Sequence, residues 1–568
     1  MPHSPIPVYR PKHPVRLISA ASLFDGHDAA INIMRRILQA SGAEVIHLGH
    51  NRSVAEIVNC AIQEDAQGIA MTSYQGGHLE FFKYMHDLLK ERGADIRIMG
   101  GGGGTILPHE IDHLDESGIA RIYSPDDGRE MGLVGMVQDA MKSALRIDLL
   151  DETRFDSLSG PVTADDHGAV SRLLTLAENG DDVTFSAAME RVRSCVREDA
   201  CPVVGLTGTG GAGKSSLTDE IMLRVQRDNP GRKIALLATD PTRKRTGGAL
   251  LGDRIRMNSL SDGNLFMRSF ASRDSGREIA DCVGRAIKAC QAVGFDLILV
   301  ETSGIGQGDD AITEIADVSM YVTTREYGAP SQLEKLEMLD AADIIVLNKF
   351  DRRGSEDALS EIRKQFKRNR EMWDADNSSL PVIPTIASQF ADAGVDMLWE
   401  RLAGILHDKH GTDFAAAQAR VGDDGLPHKS NPIPSERQGY LAEVTASVRG
   451  YHQRTDEVVG RVRLVQQLEA SATQMRSTGK DAAADDLEGE AASVRAAVPD
   501  EAWKALDDFE SRAAAYRSGE ASYTVRGKQI PVETTKTTLS GLNLPRVALP
   551  DTEDWGERLD WIRKENAP

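Results

Sequence analysis

Residues Gly208 to Ser215 read GTGGAGKS, a full match to G-x-x-x-x-G-K-[ST]. Such a loop wraps phosphate oxygens. Gly208, Gly210, Gly211 and Gly213, with the small Ala212 among them, leave backbone N–H groups free to cradle the oxygens. Lys214 reaches the β and γ phosphates, and Ser215 offers its hydroxyl to Mg²⁺. The apolar run VVGL comes before the loop and the helical pattern SLTDEIMLRV after it, the context a phosphate loop needs. Farther along, the apolar run IIVL ends in Asn348, Lys349, Phe350 and Asp351, the pattern N-K-x-D. A carboxylate there accepts the two N–H donors on N1 and N2 of guanine. Adenine presents an acceptor at N1, and the polar groups left unpaired would cost about 1–3 kcal/mol. The nucleotide expected is GTP. Ile386-Ala387-Ser388, after PVIP, is a second candidate for the guanine side.

Carboxylates close to strand ends supply a metal site for that nucleotide. Asp240 follows KIALLAT, Asp253 sits in the next loop, and Glu301 and Thr302 follow FDLILV, with Gly304 as a candidate hinge near the γ-phosphate. Mg²⁺ takes hard oxygens in octahedral array and keeps some of its waters. Ser215, Asp240, Asp253, Glu301 and Thr302 are therefore candidate magnesium ligands without all needing to bind directly. Asp253 could equally be a solvated loop carboxylate. Lys214 and Glu301 are the candidate catalytic groups.

A different chemistry is suggested by LFDGHDAAI, residues 23–31. His27 stands on a short polar break beside Asp25 and Asp28. Either aspartate could simply cap the helix that follows, and a single loop histidine commonly has no ligand role. The run Gly100–Gly104 adds weight: five glycines cost chain entropy that a plain turn would not require, and they let a bulky ligand approach the backbone.

The elements that must position these residues follow a βα rhythm. VRLISAASLF, AEVIHLG, GIAMTS, DIRIMG and IARIYS recur every ~26 residues with helical patterns between them, as in a parallel sheet covered on both faces. Ligands bind such sheets at the carboxyl ends of the strands. Asp25–His27, Ser73–Gly77 and Gly100–Gly104 all fall there. The expected fold is α/β: a flavodoxin-like doubly wound domain, a P-loop domain, then a helical linker.

Composition narrows the possible partners. A chain of 568 residues holds several cores, and a formal charge of −21 argues against a nucleic-acid groove or an anionic membrane as partner. Cys60, Cys195, Cys201, Cys282 and Cys290 form no CxxC pair, which reads as reduced thiols and a cytoplasmic setting. The Pro-rich start MPHSPIPVYRPKHP lacks the apolar region of a secretory signal, and no apolar run approaches membrane-spanning length.

Asp25-Gly26-His27-Asp28-Ala29-Ala30, then Ser73, then Gly102-Gly103 resembles the cobalamin-binding domains of mutases and methionine synthases, with Ala30 where the motif has glycine and Ser73-Tyr74-Gln75 in place of Ser-x-Leu. The resemblance implies that His27 is the lower axial ligand to cobalt. It also implies that Asp25 hydrogen-bonds the other ring nitrogen, and that the displaced nucleotide tail enters a slot lined by Ser73, Gly102 and Gly103. The string D-P-T-x-x-x-T-G-G-A-L-L-G-D-R-x-R-M, with E-T-S-G, resembles the MeaB-type GTPases that chaperone methylmalonyl-CoA mutase, and implies that Arg256 lies near the nucleotide. TTREYGAPSQLEKLEMLDAADI departs from the stand-alone chaperones, so contact with a covalently attached partner is expected there.

The expected domains are a flexible lead (1–14), a cobalamin-binding domain (15–145), a helical connector (146–200), a P-loop GTPase domain (201–412), a helical linker (413–520) and a segment (521–568) containing LPRVALPDTEDW, which resembles the approach to an acyl-CoA mutase barrel. This order is similar to that of the fused isobutyryl-CoA mutase family. The resemblance implies adenosylcobalamin, Mg²⁺, GTP hydrolysis, radical migration of the carbonyl-CoA group, an acyl-CoA substrate handled by a barrel outside this chain, and a homodimer. Two other readings compete. A stand-alone escort delivering cobalamin to a separate mutase would leave the mutase-like tail without a reason. A corrinoid methyl carrier would call for a thiolate zinc module, which the scattered cysteines do not supply.

Overall fold

The computed structural model describes residues 14–159, 162–192, 201–242, 246–261, 263–273, 282–304, 311–327, 338–419, 426–427, 439–525, 528–538 and 541–564. The expected lead up to residue 13, Cys195 and residues 328–337 of the departing stretch lie outside them. The chain divides into two compact units, Met1–Pro432 and Ile433–Pro568.

The first unit opens with alternating strands and helices: β1 (Arg16–Ser22), α1 (Asp28–Ala40), β2 (Glu44–Arg52), α2 (Val54–Gln63), β3 (Gly68–Thr72), α3 (His78–Glu91), β4 (Arg97–Gly101), α4 (Pro108–Glu116), β5 (Arg121–Tyr123) and α5 (Pro125–Ala144). β1 is buried at every residue, as a parallel strand covered on both faces must be. Helix starts follow local chemistry. Ser53 and Glu56 form a capping box on α2, and Ser124 and Asp127 form one on α5, where proline takes the first turn. The strands order as β5-β4-β3-β1-β2, the flavodoxin-like arrangement, whose switch point lies between β1 and β3.

α6 (His167–Asn179) and α7 (Asp182–Val192) follow. They do not stand apart as a connector. Leu173, Leu174 and Ala177 of α6 share one apolar core with Phe266, Ala286 and Cys290 of the nucleotide-binding part. That part contains β6 (Val203–Gly208), α8 (Lys214–Asp228), β7 (Ile234–Asp240), β8 (Ala249–Leu251), β9 (Leu265–Ala271), α9 (Val283–Val293), β10 (Leu297–Glu301), β11 (Val318–Thr323), β12 (Ile344–Leu347) and β13 (Val382–Pro384). Seven of these strands form a parallel sheet ordered β13-β12-β11-β6-β10-β7-β9.

The exception is β8. It joins the first sheet, pairing parallel to β2 with Val45 opposite Leu250 and Ile46 opposite Leu251. The first sheet therefore has six strands among the described residues, where sequence rhythm gave five. Its edge belongs to the segment expected inside the GTPase domain.

A charged cluster is buried where the two sheets' elements meet. The Arg16 guanidinium bonds Glu44, Glu64 and Glu178 at 2.9–3.2 Å. Glu64 also accepts from Arg254 and from the Ser269 amide and hydroxyl, and Glu178 accepts from Arg268 and Arg273. Burial pushes the Glu178 carboxyl up, but Arg16, Arg273 and Arg268 outweigh it and hold the pKa at about 2. Pairing at this density is what lets so many charges leave water.

The second unit is built on a 38-residue helix, Tyr440–Ser477, packed against Asp481–Ala496 and Trp555–Arg563. Its apolar centre includes Val458, Val462, Ala502 and Leu559. Two antiparallel strand pairs complete it: Glu520–Val525 with Lys528–Glu533, and Thr535–Thr537 with Asn543–Pro545.

Candidate functional site

The first site lies at the β1/β3 switch point. Asp25 is buried at the end of β1, and His27 occupies the N-cap of α1 with 71% of its side chain exposed. One Asp25 oxygen, Oδ1, takes both the His27 amide at 2.9 Å and His27 Nδ1 at 2.8 Å. The other, Oδ2, accepts the Tyr74 amide at 2.7 Å. Burial raises the Asp25 pKa, but the backbone donors from Tyr74 and His27 outweigh it and keep the carboxyl below its ordinary range. An ionised Asp25 makes Nδ1 the protonated nitrogen, and Nε2 is then the ring's lone-pair nitrogen. The Tyr74 ring lies 5.1 Å from the imidazole, centroid to centroid.

Beside this pair runs a cavity of about 350 Å³, lined mainly by apolar side chains of α1, α5, β3 and β4, with Tyr74, Gly100, Gly101 and Gly103 on its wall. Helix α5 is broken at Gly132 (φ 65°, ψ 170°), next to the wall residues Leu133 and Met136. The expected slot residues divide here. Gly103, at φ 56°, is on the wall. Ser73 and Gly102 are beneath it: Ser73 is fully buried and accepts from the Ser22 hydroxyl at 3.0 Å, and a Cβ on Gly102 would sit 2.0 Å from the Ser73 carbonyl oxygen. Part of the glycine run thus serves the protein's own close packing.

The nucleotide site is built at the carboxyl edge of the second sheet. Lys214 is folded back onto the Gly208 carbonyl at 3.0 Å. A Cβ on Gly304 (φ 67°) would collide with the Lys214 ammonium, and one on Gly213 (φ 95°) would meet the Asn348 amide at 2.5 Å, so both positions need glycine. Asn348 ties the base and phosphate loops together: Nδ2 donates to the Ala212 carbonyl at 2.8 Å, while Oδ1 accepts the Ala387 amide and the Thr385 hydroxyl. Lys349 Nζ donates to the Gly211 carbonyl at 2.6 Å. Asp351 is exposed at the mouth of this loop, and Phe350 hydrogen-bonds through its amide to Thr385.

Three carboxylates gather near Ser215. Its hydroxyl lies 2.7 Å from Glu301 Oε1 and 3.2 Å from Asp253 Oδ1, and Thr218 donates to Glu301 Oε2. Burial and then Asp253 push the Glu301 pKa up to about 7. Asp240 is likewise raised well above its usual range by burial, Asp253 and Glu301. Asp240 Oδ2 is buried with no hydrogen-bond partner. Among the described residues no group of three acidic, imidazole or thiol side chains is spaced to hold a metal ion by itself. The hard oxygens that could share a phosphate-bound divalent cation here are the Ser215 hydroxyl and the two carboxylates on it, Asp253 and Glu301. Thr302 is placed differently: its hydroxyl is 3.0 Å from that of Thr207, in the layer below. Arg256 is exposed and shares a cavity wall with Asp240 and Asp253. The Tyr74 amide, Thr218, Thr385 and Thr207 were not singled out from sequence. Each acts through a partner distant in the chain, and no local motif marks it.

Residues 15–127 match the B12 binding domain model, and residues 170–423 match the methylmalonyl-CoA mutase-associated GTPase MeaB. The fused isobutyryl-CoA mutase of Geobacillus kaustophilus is 50% identical over 99% of this chain and 52% of its own length. Over nearly its whole length the chain is similar to about half of that fused mutase. Another fused isobutyryl-CoA mutase, from Cupriavidus metallidurans, is 47% identical over 99% of this chain and 51% of its own length. A putative GTPase of Pyrococcus horikoshii is 36% identical over 44% of this chain and 76% of its own length. The chain thus spans about half the length of the fused mutases it matches. Among the described residues no helix is long and apolar enough to cross a membrane.

Proposed function

We propose that this chain is the cofactor-holding and GTP-hydrolysing part of a fused acyl-CoA mutase. The observation that carries the reading is the Asp25–His27 pair beside Tyr74 on the wall of an apolar cavity, in one compact unit with a P-loop whose serine meets the carboxylates of Glu301 and Asp253. His27 would hold cobalt through Nε2, Asp25 would fix the ring's tautomer and strengthen its basicity, and the apolar cavity would take the benzimidazole base at the end of the cofactor's nucleotide tail. Adenosylcobalamin, when bound, supplies homolytic cobalt–carbon chemistry. The surrounding protein ligates and shelters it.

At the second site Ser215, Asp253, Glu301 and Asp240 would hold Mg²⁺, directly or through water, and the metal would supply neutralising charge to the phosphates. Lys214 would leave the Gly208 carbonyl for the β and γ phosphates, and Asp351 would read the guanine edge. Glu301 is placed to orient groups at the γ-phosphate through Ser215 and Thr218. Hydrolysis joins a water oxygen to the γ-phosphorus while the bond to the β–γ bridging oxygen breaks; that oxygen leaves with its electron pair on GDP. With the barrel half of the family attached, the substrate would be isobutyryl-CoA, exchanged with n-butyryl-CoA. A cytoplasmic homodimer completes the reading.

The test is a pair of variants in the 568-residue chain. His27→Ala should weaken adenosylcobalamin binding and remove the axial-nitrogen signature from the absorption spectrum, with GTP turnover retained. Lys214→Ala should abolish phosphate release with the cofactor spectrum intact. An unchanged spectrum in the first, or undiminished hydrolysis in the second, refutes the corresponding assignment.

A further inference from the structure

Ser22 to Asp25 form a tight turn, closed where the Asp25 amide donates to the Ser22 carbonyl at 3.1 Å. Phe24 stands third in that turn with φ 62°. Glycine or asparagine is the usual residue where a turn needs a positive φ at this position, because a Cβ there crowds the next carbonyl. A phenylalanine is an outlier on such a backbone. It is also 86% exposed, more than any other large apolar residue among those described. Exposure alone would mean little, since single apolar residues are common on protein surfaces. Here an exposed ring buries little in the folded chain and strains the backbone that presents it.

The strained turn is held from both sides. β1 lies between β3 and β2 in the sheet. Toward β2, Asn51 Oδ1 accepts the Phe24 amide at 2.9 Å, and Asn51 is itself at φ 56°. Toward β3, Asp25 accepts the Tyr74 amide. His27 stands between these anchors with 71% of its side chain exposed and the Tyr74 ring 5.1 Å away. Phe24 directly precedes Asp25, whose carboxylate bonds the imidazole at 2.8 Å. Three residues of chain separate the Phe24 and His27 Cα atoms by about 11 Å at most. A planar macrocycle centred on a metal at His27 Nε2 spreads over the surface around the imidazole, so an exposed ring this close is within reach of it. Strain of this kind persists where function uses the side chain it presents.

We propose that Phe24 is a cofactor-contacting residue: its ring packs against the corrin macrocycle beside the cobalt that His27 would hold, and the left-handed turn is kept to present it. The inference rests on the cobalamin reading above. Such a contact buries apolar area only when the cofactor is bound. It therefore adds to affinity without adding to the stability of the cofactor-free chain.

The test compares adenosylcobalamin affinity, by absorption titration of the full chain, with urea unfolding of the cofactor-free chain. Phe24→Gly removes the ring and suits the backbone. It should weaken binding about tenfold or more and leave the urea midpoint unchanged or higher. The axial-nitrogen signature should remain at saturation, because His27 is intact. Phe24→Trp, which keeps a large apolar ring, should bind within about threefold of the parent. Undiminished affinity in Phe24→Gly overturns the proposal and leaves the exposed ring to a protein partner. A loss of affinity matched by a fall in the urea midpoint also overturns it, since the ring would then only support the turn. A parent chain with no affinity for adenosylcobalamin overturns the cobalamin reading itself. Loss of the axial signature in His27→Ala with no effect at Phe24 leaves that reading standing and removes only this inference.

Discussion

Gly49 and Ile255 fit together because one of them has no side chain: at φ +78°, a Cβ on Gly49 would lie 2.7 Å from Ile255 Cδ1. Gly49 belongs to β2, and Ile255 to the turn that begins at Asp253, so a residue of the first sheet sets how closely a candidate metal-binding turn can approach. Gly49→Ala should cost about 1–3 kcal/mol from the left-handed backbone alone, with a further effect from moving Ile255. The expected outcome is a lower unfolding midpoint in urea together with a higher magnesium requirement for GTP turnover. A change in stability without any shift in the magnesium dependence would separate the turn's packing from the metal site.

Asp25→Asn tests the imidazole's support. The amide oxygen can still accept at one of the two positions, either from His27 or from the Tyr74 amide. The NH₂ cannot accept at the other, and the charge opposite His27 Nδ1 is gone. Loss of such a supporting partner typically costs 10–100-fold in metal affinity, so adenosylcobalamin should bind about that much more weakly by absorption titration while the fold is retained.

The buried Glu64 accepts from Arg16 and Arg254 and from two donors of Ser269. Glu64→Gln removes the charge shared by three guanidinium groups, Arg16, Arg254 and Arg268, that have no water to turn to. Breaking a buried pair costs about 3–5 kcal/mol, and the expected readout is a loss of that order in urea unfolding of the first unit. A double variant, Glu64→Gln with Arg254→Met, should recover part of it, because the uncompensated partner is then removed.

His47 gives the protein an acid-sensitive limb. Burial, then Arg35 and Arg52, lower its pKa to about 4 from an ordinary 6.5, against the hydrogen bond its ring donates to the Ser19 backbone. His167 is lowered to about 4 as well, by burial and then Arg254. The unfolded chain takes up protons at these sites below pH 6.5 that the folded one refuses until about pH 4. Stability is therefore complete above the unfolded value and is lost as pH falls through this window. Thermal melts between pH 7 and pH 4 should show a shallower decline for His47→Asn than for the parent chain.

Much of the chemistry was legible in the chain itself because its determinants are local. The phosphate loop needs glycines and a lysine at fixed offsets between a strand and a helix. N-K-x-D needs only a strand end. The βα rhythm needs apolar spacing, and Asp25 and His27 are two residues apart, so one turn brings carboxylate and imidazole together.

What only the tertiary structure decided concerns partners far apart in sequence. β8 could be read as part of the nucleotide domain until pairing with β2 gave it to the other sheet, since three apolar residues fit either edge and only long-range register chooses. Ser73 and Gly102 carried a motif's signature but went beneath the cavity, where close backbone approach required a small residue. Thr302 stood beside Glu301, yet alternation along the chain turned its hydroxyl to Thr207. Arg16, Glu64, Glu178 and Arg268 look like solvated charges in sequence; they are buried because two parallel sheets meet over them, and burial depends on contacts that no local pattern encodes.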